Sequence, residues 1–164
     1  MSDQSFTSTI TVDQTPEEAF AAINDVRGWW AELIEGDTEK LGDEFTFHFP
    51  DVHRAEFRLT EVTPGKRVVW QVLDSWLAFV DDKTEWNGTE VVFDISEQDG
   101  KTEVRFTHVG LDPAIDCFEI CSNAWGWYIT ESLRNLITTG KGEPLLTTAT
   151  IDVELLRHGN IAFS

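Results

Sequence analysis

Four histidines, two cysteines and thirty acidic side chains are the groups in this 164-residue chain with the chemistry to bind a metal or move a proton. His108 is the one whose setting is informative. Strand parity puts it on an apolar face with Val104 and Phe106, just before a long apolar stretch. At such a place it is either a general base at one end of a cavity or a structural histidine hydrogen-bonded at a strand–helix junction. His48 has the opposite parity to Phe45, Phe47 and Phe49 and is expected to face outward. His53, beside a turn, is expected to be exposed as well, and His158 lies near the C-terminus. The four do not form a metal-ligand spacing, and Cys117 and Cys121 have no further soft ligands, so no metal and no cofactor is expected. Side chains four apart on a helix seldom reach disulfide geometry, so both cysteines are expected reduced and buried. No phosphate loop, dinucleotide glycine motif or nucleophile elbow is present. An acid–base carboxylate pair cannot be singled out.

The tryptophans mark a candidate pocket better than the titratable groups do. The chain has seven, with eleven phenylalanines. Trp125 shares a helical stripe with Phe118, Cys121 and Ile129. Trp127, two residues further on, points elsewhere. Trp76 and Trp86 bracket an irregular segment and are expected to gate an entrance.

Elements must position these groups. Residues 6–12 alternate as a half-buried strand. Thr15, Pro16 and Glu18 then form a helix start with a capping box, and the helix runs to about Asn24. A second short helix is expected over 26–34. Alternation then predicts strands over 44–49, 52–62, 67–73, 88–97 and 102–109. Pro64-Gly65 makes one turn and 98–101 a hairpin. Residues 74–87 are expected to be an irregular loop. The stretch 113–140 reads as one long helix, with Asp112 as N-cap, Pro113 in the first position and Gly140 as the stop. Its stripe is Phe118, Cys121, Trp125, Ile129, Leu133 and Leu136.

Strand, two short helices, a run of antiparallel strands and one long helix make an α+β domain. The sheet is expected to curve around the helix and leave a cavity. The candidate lining is Phe47, Phe57, Trp70, Phe93, Phe106, His108, Phe118, Cys121, Trp125 and Ile129. Residues 5–145 form this domain. The extension 146–164 is an edge strand, an exchange arm between subunits or a tail.

Several stretches resemble the Aha1-type branch of the START/Bet v 1-like (SRPBCC) superfamily. They are Trp86-Asn87-Gly88-Thr89, the run 102–110, Gly126-Trp127 followed by 133–140, and Pro16-Glu17-Glu18-Ala19-Phe20 with Trp29-Trp30. The resemblance implies a helix-grip fold: six to seven antiparallel strands around a C-terminal helix, with a hydrophobic cavity between. It implies a protein that holds a small hydrophobic or aromatic molecule. Two alternatives are a cyclase- or hydrolase-type enzyme using His108, and a co-chaperone-like or stress-response interaction protein.

Charge and pattern narrow the partners. The net charge of −18 repels phosphates, so neither nucleic acid nor an anionic membrane is expected. No run reaches the length of a membrane span, and residues 1–8 lack the basic and apolar parts of a signal peptide. A cytoplasmic location is expected. A homodimer through an edge strand or the C-terminal extension is a further expectation.

Overall fold

A computed structural model describes residues 5–49, 53–78, 83–111 and 118–144. The expected helix start at Asp112 and Pro113, the extension 146–164, Cys117 and His158 lie outside the described residues. Seven antiparallel strands form one sheet in the order β1-β7-β6-β5-β4-β3-β2. They are β1 (Ser5–Val12), β2 (Ile34–Gly36), β3 (Glu44–Phe49), β4 (His53–Thr63), β5 (Arg67–Leu77), β6 (Glu90–Gln98) and β7 (Lys101–Val109). Two short helices, α1 (Pro16–Asn24) and α2 (Val26–Trp29), follow β1. The C-terminal helix begins with α3 (Phe118–Trp127) and ends with α4 (Arg134–Thr139). This is the α+β helix-grip arrangement.

Local chemistry explains the element ends. The Thr15 hydroxyl accepts from the Glu18 N–H at 3.1 Å, and the Glu18 carboxylate accepts from the Thr15 N–H at 3.0 Å. This is the expected capping box, with Pro16 in the first turn. In the β6–β7 hairpin, Asp99 and Gly100 both have positive φ, as the two-residue turn requires. Inward residues alternate as expected: Phe45, Phe47 and Phe49 on β3; Ala55, Phe57 and Leu59 on β4; Val104, Phe106 and His108 on β7.

Three expectations need correction. The second helix stops at Trp29, not Ile34, because Trp29, Trp30 and Ala31 are all buried and the chain plunges into the core there. Ile34 instead opens β2, paired with Phe47 of β3. Arg27 holds that strand in place: its Nε and Nη2 donate to the Ile34 and Gly36 carbonyls, both at 2.9 Å.

β5 does not end at Leu73 but runs on to Leu77. Glu56 pairs with Asp74 and Phe57 with Val72, so Leu73 is an extra residue in a bulge. The bulge reverses the parity of the remainder of the strand. Val68, Trp70 and Val72 point inward before it, Ser75 and Leu77 after it, and Asp74 and Trp76 are turned outward. A reversal of period two reads in sequence as irregularity.

The C-terminal helix is not α-helical throughout. A π-helical segment, Tyr128–Leu133, joins α3 to α4. The buried stripe is Cys121, Trp125, Ile129, Leu133 and Ile137, every step being four residues. In a regular α-helix each such step over-rotates by about 40°. The wider π turn takes up that excess and keeps the stripe on the sheet. It also places Ile137 rather than the expected Leu136 in the last buried position. The Ser132 hydroxyl within this turn donates to the Trp29 carbonyl at 2.6 Å and accepts from the Glu143 N–H at 2.7 Å. The C-terminal helix thereby clamps α2 and the chain beyond Gly140, which has the left-handed φ of a helix stop. Gly142 is required at this clamp, since a Cβ there would lie 2.3 Å from the Gly28 carbonyl oxygen.

Candidate functional site

The concave face of the sheet meets the helix through aromatic rings. Trp70 of β5 stacks on Trp29 and Trp30, with centroids at 6.2 and 6.0 Å. Trp30 also stacks on Phe47 at 4.6 Å and reaches Trp125 of α3 at 4.9 Å. Phe106 meets Trp125 at 4.7 Å. Phe57 and Phe93 stand edge-on to Trp70, at 5.5 and 5.0 Å. Of the ten candidate lining residues, Phe118 is partly buried and the other nine are buried. Sheet and helix residues therefore do come together, and they touch one another directly. Cys121 is buried in the same layer.

Three tryptophan N–H groups in this layer differ in their bonding. Trp29 Nε1 donates to the Ile23 carbonyl at 3.1 Å, and Trp125 Nε1 donates to His108 Nδ1 at 3.1 Å. Trp70 Nε1 is buried and has no acceptor among the described residues. Indole N–H groups usually find a partner when buried.

His108 has no exposed surface. Its Nδ1 accepts from Trp125, so the neutral ring carries its proton on Nε2. That N–H donates to Thr89 Oγ1 at 2.8 Å, and the Thr89 hydroxyl donates to the Trp86 carbonyl at 2.7 Å. The chain of bonds has one direction and uses both ring nitrogens. The Trp86 ring lies between two imidazoles: His108 edge-on at 4.7 Å and His53 edge-on at 4.6 Å. Burial, and after it the nearby His53, pushes the His108 pKa down to about 3. Burial does the same to His53, also to about 3. Both rings are neutral at physiological pH.

The expectation that His53 is exposed is thus overturned: its ring packs against Phe47 at 5.0 Å and against Trp86. His48 is exposed. The two tryptophans bracketing 77–85 separate. Trp76 is 39% exposed on the outer face, whereas Trp86 is buried and stacks on Trp125 at 6.0 Å. Trp127 turns aside to Tyr128, with centroids at 5.5 Å.

Trp29 and Trp30, two of the seven tryptophans expected to mark the pocket, belong to this site; His53 and Thr89 belong to it as well and were not identified from the sequence. A signal for both was present. His53 shares the parity of Ala55, Phe57 and Leu59, and Thr89 that of Val91, Phe93 and Ile95. Among the described residues, no group of three His, Cys, Asp or Glu side chains is placed to hold a metal ion. No helix among them is long and apolar enough to cross a membrane.

Known proteins share this architecture. Residues 13–138 match the family model described as Activator of Hsp90 ATPase homolog 1-like protein. A search of curated proteins finds no match. Among solved structures, the Aha1 dimer from Colwellia psychrerythraea is 26% identical. The similarity covers 84% of this chain and 98% of that one, with a TM-score of 0.67. A conserved protein of unknown function from Enterococcus faecalis, EF2215, is 14% identical over 96% of this chain and 84% of its own, with a TM-score of 0.63. DynU16, a putative protein in the dynemicin biosynthetic locus, is 16% identical over 86% of this chain and 49% of its own, with a TM-score of 0.61. The last two speak for the fold alone. With most of its length matched, from the end of β1 to the last turn of the C-terminal helix, the chain belongs to the Activator of Hsp90 ATPase homolog 1-like family.

Proposed function

We propose that the protein is a binding module that holds a small aromatic or hydrophobic molecule between sheet and helix, and that this molecule carries a hydrogen-bond acceptor. The observation that carries the reading is the Trp70 indole N–H, buried in the centre of the aromatic face with no acceptor among the described residues. A planar ligand inserted among Trp30, Trp70 and Trp125 would find ring faces to stack on and one donor to satisfy. Entry requires those rings to part. The test is a titration with a library of aromatic ketones, phenols and matching hydrocarbons, read by tryptophan fluorescence. Trp70→Phe keeps a ring and removes the N–H. It is expected to weaken acceptor-bearing ligands roughly tenfold and to leave the hydrocarbons unchanged. A library in which no member changes the fluorescence or raises the unfolding midpoint refutes the reading.

A second reading, a co-chaperone-like interaction protein acting through its outer surface, is favoured by the direct contact of sheet and helix rings, which leaves the outer surface to carry recognition. Membership of the family supports it equally. Catalysis through His108 has less support, because both ring nitrogens are already engaged and the ring has no exposed surface. We further infer that the chain forms a homodimer, as the Aha1 relative from Colwellia psychrerythraea does.

A further inference from the structure

The two edges of the sheet are finished differently. At the β2 edge, the Arg27 guanidinium covers the outward carbonyls of Ile34 and Gly36. β1, at the other edge, is eight residues long and pairs with β7 from Ser5↔Val109 to Val12↔Thr102 without a register shift. Its sequence, Ser-Phe-Thr-Ser-Thr-Ile-Thr-Val, contains no charge, no proline and no glycine. Among the described residues, no hydrogen bond is made to its outward backbone. Thr7, Thr9 and Thr11 are exposed beside that edge. Lys, Pro, a bulge or a covering element normally blunts such an edge, because its row of N–H and C=O groups is a template for another strand.

We propose that β1 pairs antiparallel with β1 of a second copy about a twofold axis, joining the two sheets into one. This rests on the homodimer reading above and assigns its surface. An antiparallel edge is complementary to itself under a twofold rotation, which is the requirement of an isologous contact. Charge selects the same occupant. A protein with net charge −18 repels its own copy. β1 brings no charge to the contact, so it is a strip where two copies meet without added repulsion. A strongly basic or acidic partner finds no counter-charge on β1 itself, and the β7 charges opposite Thr9 and Thr11, Arg105 and Glu103, are of opposite sign. The outer faces then place threonine beside threonine, a favourable cross-strand pair. Eight residues a side fall short of the about 20–30 of a standard interface. The dimer is therefore concentration-dependent, and it tightens as salt screens the repulsion.

Sedimentation equilibrium of the full chain at low and high salt tests this, together with the double variant Thr7→Lys/Thr9→Lys and the control Leu41→Lys. Leu41 is 68% exposed and away from β1. The wild type and the control are expected to dimerise more tightly at high salt. The double variant is expected to raise the dimer Kd by about tenfold or more, because lysines face each other across the axis. It lowers the overall negative charge, so general repulsion predicts the opposite change. Hydrogen exchange of the wild type supplies a readout without substitution: amides of β1 become protected as concentration rises. A wild type that stays monomeric throughout overturns the homodimer reading. A dimer that the double lysine variant leaves intact, or whose protection maps to 145–156 instead of β1, keeps that reading and overturns the assignment of β1.

Discussion

Replacing Thr89 by valine tests the bond chain through His108 without changing shape. The threonine hydroxyl accepts from His108 Nε2 and donates to the Trp86 carbonyl. His108 is fully buried, so its Nε2–H has no water to turn to when the hydroxyl is removed. An unsatisfied buried donor costs roughly 1–3 kcal/mol. The Trp86 carbonyl still accepts from the Thr89 N–H at 3.0 Å, so losing the hydroxyl there adds little. The expected loss is therefore about 2 kcal/mol, or roughly 4–8 °C in Tm for a domain of this size. Guanidinium unfolding followed by tryptophan fluorescence measures it, with an unchanged m-value showing that the unfolded state is not the cause. Thr89→Ser keeps the hydroxyl and is expected to recover most of the loss. A Thr89→Val protein within about 0.5 kcal/mol of wild type, or a serine variant no better than valine, refutes the tautomer and the direction of the chain.

The same geometry sets two further outcomes. The buried His108 and partly buried His53 imidazoles are held at about 3 against an ordinary 6.5. They stay neutral in the folded protein, while the unfolded chain takes up protons below 6.5. The stability they support is complete above pH 6.5 and falls as pH drops from there toward 3, by roughly 2 kcal/mol for each ring at pH 5. Denaturant unfolding at pH 7 and pH 5 checks this, and a flat profile between them contradicts the burial of the rings. Ser132→Ala removes the hydroxyl that joins the π turn to Trp29 and Glu143. It is expected to cost about 2 kcal/mol, since the Trp29 carbonyl is left buried. A neutral result in the same unfolding assay shows that the clamp does not hold the helix.

Much of the fold is legible in the chain because its signals are local. The capping box at Thr15 and Glu18 depends on residues three apart, and the hairpin at Asp99-Gly100 depends on two adjacent φ values. The aromatic faces of β3, β4 and β7 follow from alternation alone. Parity also carried His53 and Thr89, but a turn neighbour masked the first and a small polar side chain the second. The features that were not legible arise where one element adjusts to another. The bulge at Leu73 resets the parity of β5 and turns Trp76 outward. The π turn replaces Leu136 by Ile137 in the buried stripe, since only contact with a sheet makes a stripe of fours worth an irregular turn.

The same division holds for the candidate site. Composition, periodicity and strand parity determined that a layer of aromatic side chains would lie between a sheet and a helix, with His108 within it. Tertiary structure alone decided what those groups do there. It sets Trp125 and Thr89 on the two nitrogens of His108, separates Trp76 from Trp86, and leaves the buried Trp70 indole with no acceptor among the described residues. The physical reason is range. Side-chain direction follows from a few neighbouring residues, whereas the partner of a buried polar atom comes from another strand or helix, brought near only when the whole chain has closed.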